Sequence, residues 1–370
     1  MKFVAIRQNI KDALSLIYHA ASENVNLPIL KNVLIELENN IITFTATNLE
    51  IAIKSFVSGK TIENGRVTVP VSLLSNIITN LQTDRLNFES KENNLEIKTE
   101  NYNAVVQGMS AEDFPITPKI KDLKPYIEIK AVFLKEAIQQ TTVASQFSDL
   151  RPELNSILFD FSLENIKIAA TDGFRLAEKT IPSNIFTAQH TEPFRALIPL
   201  RTTQELSRIL TNDEEVRIYH DENQILFKTE KMELISRLNE GNFPDYSSLI
   251  PNDFILELTV GQDEFENALK LTNVFSQKNN EVSILIHPNK KAVEIVSADQ
   301  SYGENKYILP AKIKGEQSER MFNIKYLQDA LKSVSGDEVF LGIQEEANPA
   351  LIKSPSDNSY FYILKPIVKA

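Results

Sequence analysis

A pattern of strands and helices occurs three times along this chain at a period of about 125 residues, and no other feature limits the fold as strongly. Each copy opens with a short alternating strand followed by apolar residues at helical spacing, over Lys2 to Ala21, Tyr126 to Ser145 and Phe254 to Ser276. Ile10, Ala13, Leu14 and Ile17 fall at i, i+3, i+4 and i+7, as do Phe265, Ala268, Leu269 and Thr272, which predicts amphipathic helices with one buried face. Asp263 and Glu264 occupy the first turn of the last, where the helix dipole favours acids. A strand, polar turn and strand come next: Val33 to Asn48, Ser156 to Asp172 and Ser283 to Asp299, turning at Asn39-Asn40, Glu164-Asn165 and Asn289-Lys290. A short strand then enters a second helix, at Val67-Thr68-Val69-Pro70 into Leu73 to Leu81, Ala196-Leu197-Ile198-Pro199 into Leu206 to Leu210, and Met321-Phe322-Asn323 into Leu327 to Val334. Alternating strands close the copies at Leu86 to Met109, Val216 to Leu238 and Val339 to Leu364.

The linkers repeat too. Ala111-Glu112-Asp113-Phe114-Pro115 and Glu240-Gly241-Asn242-Phe243-Pro244-Asp245-Tyr246 each lead from a closing strand into the next copy, which places boundaries near residues 120 and 252. The expected class is α+β: three domains, 1–120, 121–252 and 253–370, each reading β-α-β-β-β-β-α-β-β-β with two helices packed on antiparallel sheets. At ~100–200 residues per domain, 370 residues suffice for three cores. A duplicated stable domain explains the repeat without any function.

Composition removes several classes of activity. Zero cysteines exclude disulfides, thiolate zinc sites, iron-sulfur ligation and cysteine nucleophiles. His19, His190, His220 and His287 lack metal-ligand spacing, and the ten glycines form neither a G-x-x-x-x-G-K-[ST] loop nor a G-x-G-x-x-G turn. No metal or cofactor is expected. Asp172 with Arg175 is the one pair arguable as an acid and its electrostatic partner, set against a plain structural ion pair. No apolar run is long enough for a membrane span, and Met1 to Gln8 meets a charge before any signal-peptide core, so a cytoplasmic protein is expected.

A net charge of -11 argues against a protein coated in nucleic acid or lying on anionic lipid. The charges are unevenly distributed. Over the predicted helices, with Lys278 included in the fifth, basic residues exceed acidic ones by two. Aligned second helices place Ser72, Arg201 and Lys325 at one position, Asn76, Glu205 and Asp329 a turn later, and Thr79, Arg208 and Lys332 beyond, on the face opposite the apolar one. On charge alone two readings stand: helices presented to a polyanion, or solvated faces with ordinary ion pairs.

Three segments carry a family resemblance. Asn26-Leu27-Pro28-Ile29-Leu30-Lys31-Asn32-Val33-Leu34, Ala169-Ala170-Thr171-Asp172-Gly173-Phe174-Arg175-Leu176-Ala177 and Gly241-Asn242-Phe243-Pro244-Asp245-Tyr246, at these separations, resemble the bacterial DNA polymerase III beta subunits, the beta sliding clamps, and the similarity runs to Tyr362-Ile363-Leu364-Lys365-Pro366-Ile367. The resemblance implies a non-catalytic processivity factor: a head-to-tail homodimeric ring of six domains, its helices lining the hole and its sheets outside. Such a ring slides on double-stranded DNA without sequence preference. It tethers the polymerase III alpha subunit, the clamp loader and other proteins carrying a clamp-binding motif.

The resemblance also assigns residues. DNA contact falls on Asn24, Ser148, Arg151, Arg201, Arg208, Lys325 and Lys332, with Asn24 standing where the family commonly has arginine. A hydrophobic pocket between the second and third domains is walled by Leu154, Thr171, Gly173, Phe174, Arg175, Leu176, Pro244, Leu249, Asn323, Tyr326, Ile363, Leu364, Pro366 and Ile367. Phe174 replaces a common histidine, Ser248 a common arginine and Lys365 a residue usually apolar. Ring closure falls on Ala104 and Val106 of a closing strand and on Val274 and Phe275 at a helix end, with Ala104 smaller than the usual aromatic. By itself Thr171-Asp172-Gly173 also reads as an ordinary strand-to-turn connection with Gly173 at positive φ.

Overall fold

In the computed structural model, which describes residues 1–38, 40–121, 123, 126–147, 151, 153–189, 192–276, 280–299, 303–345 and 347–368, helices form where the apolar spacing predicts them. They are α1 (Arg7–Ile17), α2 (Val71–Asn80), α3 (Ala131–Thr142), α4 (Leu200–Ile209), α5 (Gln262–Asn273) and α6 (Ile324–Ser333). α1 buries Ile10, Ala13, Leu14 and Ile17, and α5 buries Phe265, Ala268, Leu269 and Thr272, the two predicted stripes. α6 is started by Asn323, whose side chain accepts hydrogen bonds from the Lys325 and Tyr326 backbone N–H groups at 3.0 and 3.4 Å. These helices hold eight basic and seven acidic residues, an excess of one, because α5 stops before Lys278, which lies outside the described residues. α1, α4 and α6 are each net basic; α5 is net acidic.

By contacts the chain divides into two compact units, Met1–Val132 with Phe186–Thr191 and Glu205–Leu238, and Phe133–Ile185 with Glu192–Gln204 and Asn239–Ala370. All recorded strand pairings are antiparallel. In the first unit one thirteen-stranded sheet runs from Phe186–Ala188 through Met232–Arg237 and Ile51–Glu63 to an edge at Asn103–Val106. The second unit holds a nine-stranded sheet, joined by the pairing of Arg175–Pro182 with Tyr360–Leu364, and a four-stranded sheet whose edges are Gly303–Pro310 and Ser318–Asn323.

The expected element order holds for the first copy, whereas the second and third each gain a strand. Ile51–Glu63 is continuous for 13 residues and pairs with Lys2–Ile6 as well as Ile41–Thr47. In the later copies two strands share that work: Arg175–Pro182 and Phe186–Ala188, then Gly303–Pro310 and Lys312–Gly315. The cause is local. Pro182 and Pro310 end their strands because proline lacks the N–H needed to continue the ladder, while the matching position in the first copy is Ser58.

Two linker phenylalanines pin the connections. Phe114 packs on Ile29 and Leu34, and Phe243 packs on Leu158, Ala169 and Leu197.

Candidate functional site

In the second unit, the turn from Thr171 to Arg175, three residues between two strand ends, shapes one wall of a cavity of about 300 Å³. Thr171 Oγ1 donates to the Arg175 carbonyl at 2.6 Å and accepts from the Gly173 N–H at 3.0 Å. One Asp172 carboxylate oxygen accepts from the Phe174 and Arg175 N–H groups at 2.9 and 3.0 Å. Gly173 takes φ +89°, conformational space that glycine enters without a Cβ penalty. The loop leaves Phe174 63% exposed, an aromatic ring standing at the cavity wall.

Arg175 is held beneath it. Its Nε donates to Asp172 Oδ2 at 2.9 Å, its Nη1 donates to Asp329 Oδ2 of α6 at 2.6 Å, and its guanidinium lies 4.1 Å above the Tyr326 ring. Burial works against its charge, yet Tyr362, Asp329 and Asp172 outweigh it and hold the guanidinium above the ordinary arginine pKa. Asp172 and Arg175 are thus a structural ion pair within the loop. Tyr246 is the second anchor: burial and the neighbouring Glu178 carboxylate push its phenol up, so it stays protonated and donates to Glu178 Oε2.

Nine of the expected pocket residues meet at the cavity: Leu154, Thr171, Gly173, Phe174, Arg175, Leu176, Pro244, Leu249 and Ile363. Arg151, Tyr246, Pro349 and Lys365 complete the lining. Five expected residues are not part of it. Leu364 is fully buried in the sheet, Tyr326 is covered by Arg175, and Asn323 is spent capping α6. Pro366 and Ile367 lie past the lining, where the Ile367 N–H donates to the Met321 carbonyl at 2.7 Å. Lys365 is exposed, and its N–H donates to the Phe174 carbonyl at 2.9 Å, fixing the chain end to the loop. Tyr246 was visible in the linker motif; Pro349 had no sequence signal, because only the fold brings its loop to this cavity.

The residues expected at DNA are distributed over helix faces and loops. Arg201 and Arg208 are exposed on α4 and Lys325 and Lys332 on α6, opposite each buried stripe, and their neutral counterparts on α2, Ser72 and Thr79, are exposed too. Arg208 is partly neutralised, since its Nε and Nη2 both donate to Glu205 Oε2, at 3.0 and 2.8 Å. Asp329 faces Arg175, which leaves α6 with two exposed lysines and a neutralised acid. Asn24 is exposed and uses its side chain in a turn, accepting from the Asn26 and Leu27 N–H groups at 2.9 and 3.1 Å. Arg151 sits at the cavity, 3.3 Å from Glu153, and Ser148 lies outside the described residues.

For ring closure, Ala104 and Val106 lie on the edge strand Asn103–Val106, with Val106 only 2% exposed and Val105 facing outward. Val274 is 54% exposed just past α5 and Phe275 is half-buried. Among the described residues no group of His, Asp or Glu could hold a metal ion. Among the described residues no helix is long and apolar enough to cross a membrane.

Comparison with known proteins gives a consistent result. Models of the DNA polymerase III beta subunit match the N-terminal domain at residues 1–118, the central domain at 128–245 and the C-terminal domain at 247–368. The chain is 28% identical to the beta sliding clamp of Bacillus subtilis over 380 residues and 26% identical to that of Synechocystis over 388, covering 99% of each chain in both cases. It superposes on the crystal structure of the Bacillus subtilis DNA polymerase sliding clamp with a TM-score of 0.93 at 28% identity, over 100% of both chains.

Proposed function

This chain belongs to the DNA polymerase III beta subunit family, the sliding clamps, and from that premise we propose that it works as a homodimeric ring that encircles double-stranded DNA and tethers the replicative polymerase without chemistry of its own. The three domains are those the repeat marks, bounded near residues 120 and 252.

One observation supports ring closure above the others. The closing strand of the second copy, Met232–Arg237, pairs with Ile51–Glu63 of the first, and the closing strand of the third, Tyr360–Leu364, pairs with Arg175–Pro182 of the second. By the same rule the closing strand of the first copy, Asn103–Val106, needs the counterpart of those acceptors in a third copy, which is Gly303–Pro310. Both are edge strands here. A strand edge is a liability unless it is covered. A second chain placed head to tail satisfies both edges twice, with the exposed Val274 past α5 flanking the joint, and makes six domains. Asn305 ties that strand to α5, its Nδ2 donating to Thr272 Oγ1 at 3.0 Å.

Inside such a ring the basic faces of α4 and α6 meet phosphates. Contacts of this kind are independent of sequence and salt-sensitive, and a weakly basic surface favours sliding. The second-unit cavity suits a short peptide carrying a glutamine and terminal aliphatic or aromatic residues: Leu176, Leu249 and Ile363 supply an apolar floor and rim, Arg175 and Lys365 the charge. The clamp loader, the polymerase alpha subunit and other motif-bearing proteins would share it.

The decisive experiment is retention on nicked circular DNA after loading. The protein should stay on the circle and leave when the circle is cut. Retention indifferent to topology would overturn the ring reading.

A further inference from the structure

The peptide cavity has a structural twin in the first unit. The Thr171 loop is duplicated at Thr47: Thr47 Oγ1 donates to the Ile51 carbonyl at 2.7 Å and accepts from Leu49 N–H at 3.0 Å, and Asn48 Oδ1 accepts from the Glu50 and Ile51 N–H groups at 3.0 and 2.9 Å. Leu49 even adopts φ +78° where Gly173 adopts +89°. The sheet beside each loop is in the same register. Ala52 pairs with Ile235, which pairs with Leu226, which pairs with Tyr219; Leu176 pairs with Ile363, which pairs with Leu351, which pairs with Gly342.

The two clefts differ in what fills them. Aligned from Phe114 with Phe243 to Ile127 with Leu256, the linkers have equal length and place Ile120 at the position of Leu249. Ile120 is 8% exposed, clustered with Ala52, Leu226 and Ile235, whereas Leu249 is 45% exposed at the cavity rim. The base residue gives the physical reason. Ala52 leaves room for a linker side chain to drop onto the sheet; Leu176 occupies that space and keeps Leu249 at the rim, so the groove stays open. A residual cavity of about 160 Å³ remains beside Ile120, with Lys54 and Lys119 at its margin and Glu233 there already paired to Lys228 at 2.7 Å. The margin is therefore basic, as it is at the exposed Lys365 of the open cavity.

We propose that the first repeat boundary is a latent second peptide groove, filled in cis by Ile120, which accepts the same class of peptide once that side chain is withdrawn. The inference rests on the peptide-pocket reading above. One clamp chain thus offers one open groove because one linker residue competes with peptide at the other.

The test is a titration of full-length protein with a fluorescein-labelled peptide containing a glutamine and ending in leucine and phenylalanine. Wild type should bind one peptide per chain, Ile120→Ala two, Leu249→Glu none, and the double variant one. If Ile120→Ala binds one and the double variant none, both with wild-type circular dichroism and melting, the latent groove is overturned while the pocket reading survives. If wild type binds no peptide, both readings fall. Should Ile120→Ala not fold, Ile120→Thr keeps the β-branched shape and is judged by the same stoichiometries.

Discussion

Arg175 reaches from the Thr171–Arg175 turn to Asp329 on α6 at 2.6 Å, so the wall of the second-unit cavity and a helix with an exposed basic face share one ion pair. Removing one partner of a buried charge leaves the other uncompensated, and hydrogen bonds to charged groups are worth about 1.5–3 kcal/mol. Asp329→Asn should therefore lower unfolding free energy by about 1–2 kcal/mol, with Arg175 still held by Asp172. Urea titration should show a lower midpoint at unchanged slope. A shift in peptide affinity is expected as well, read in the same protein by fluorescence anisotropy.

Ring closure is tested at Val274 and Phe275. The double change Val274→Ala, Phe275→Ala removes apolar surface from the flank of the open edge and should yield folded monomers by analytical ultracentrifugation. A dimer persisting at nanomolar concentration would count against this joint.

Basic helix faces differ in how exposed their charge is. Lys325→Gln should reduce the slope of log affinity against log salt for DNA by about 1, the effect of one lost phosphate contact. Arg208→Gln should change it less, because Glu205 already neutralises that guanidinium. Equal slopes for both variants would contradict the assignment.

The chain end should set peptide preference. Lys365 is exposed at the cavity, so its methylenes can lie on the groove with the ammonium at the rim. Peptides with an acidic residue beside the motif should bind more tightly at low salt than neutral ones, and the difference should shrink at high salt. Deleting from Lys365 onward should abolish peptide binding and leave the dimer intact, since it also removes the N–H that fixes the Phe174 carbonyl.

Acid should loosen the second unit through Asp357. Burial alone would raise this carboxyl, but hydrogen bonds from Ser359 and the Lys179 ammonium at 3.3 Å hold it below the usual aspartate range. A carboxyl lowered in the folded state contributes stability that is present above the ordinary aspartate pKa of about 3.9 and lost as pH falls through the lower folded value. Asp357→Asn should flatten the stability profile below about pH 4, measured by thermal melts across that range.

The helix stripes, the element order of the first copy and the linkers were legible because each rests on spacing within a short window, and motif residues at fixed separation mark side chains that the fold brings to one cavity. Ile10 to Ile17 must share a face once the segment is helical, whatever surrounds it. Five assigned residues lie outside the cavity lining for a reason no spacing carries. Ile363 and Leu364 are adjacent in one strand, so one turns to the cavity and the other into the core, and which is which depends on the register with Arg175–Pro182. The extra strands carry no local signal, because the break at Pro182 or Pro310 matters only once the strand has a partner waiting beyond it.

By itself the sequence determined that this chain folds as three copies of one α+β unit, because periodic burial and turn chemistry are local properties. Only the tertiary structure decided that one copy boundary is sealed by Ile120 and the other stands open at Leu249. That outcome depends on whether Ala52 or Leu176 lies beneath the linker, and residues so far apart in sequence compete for space only after the sheet has paired.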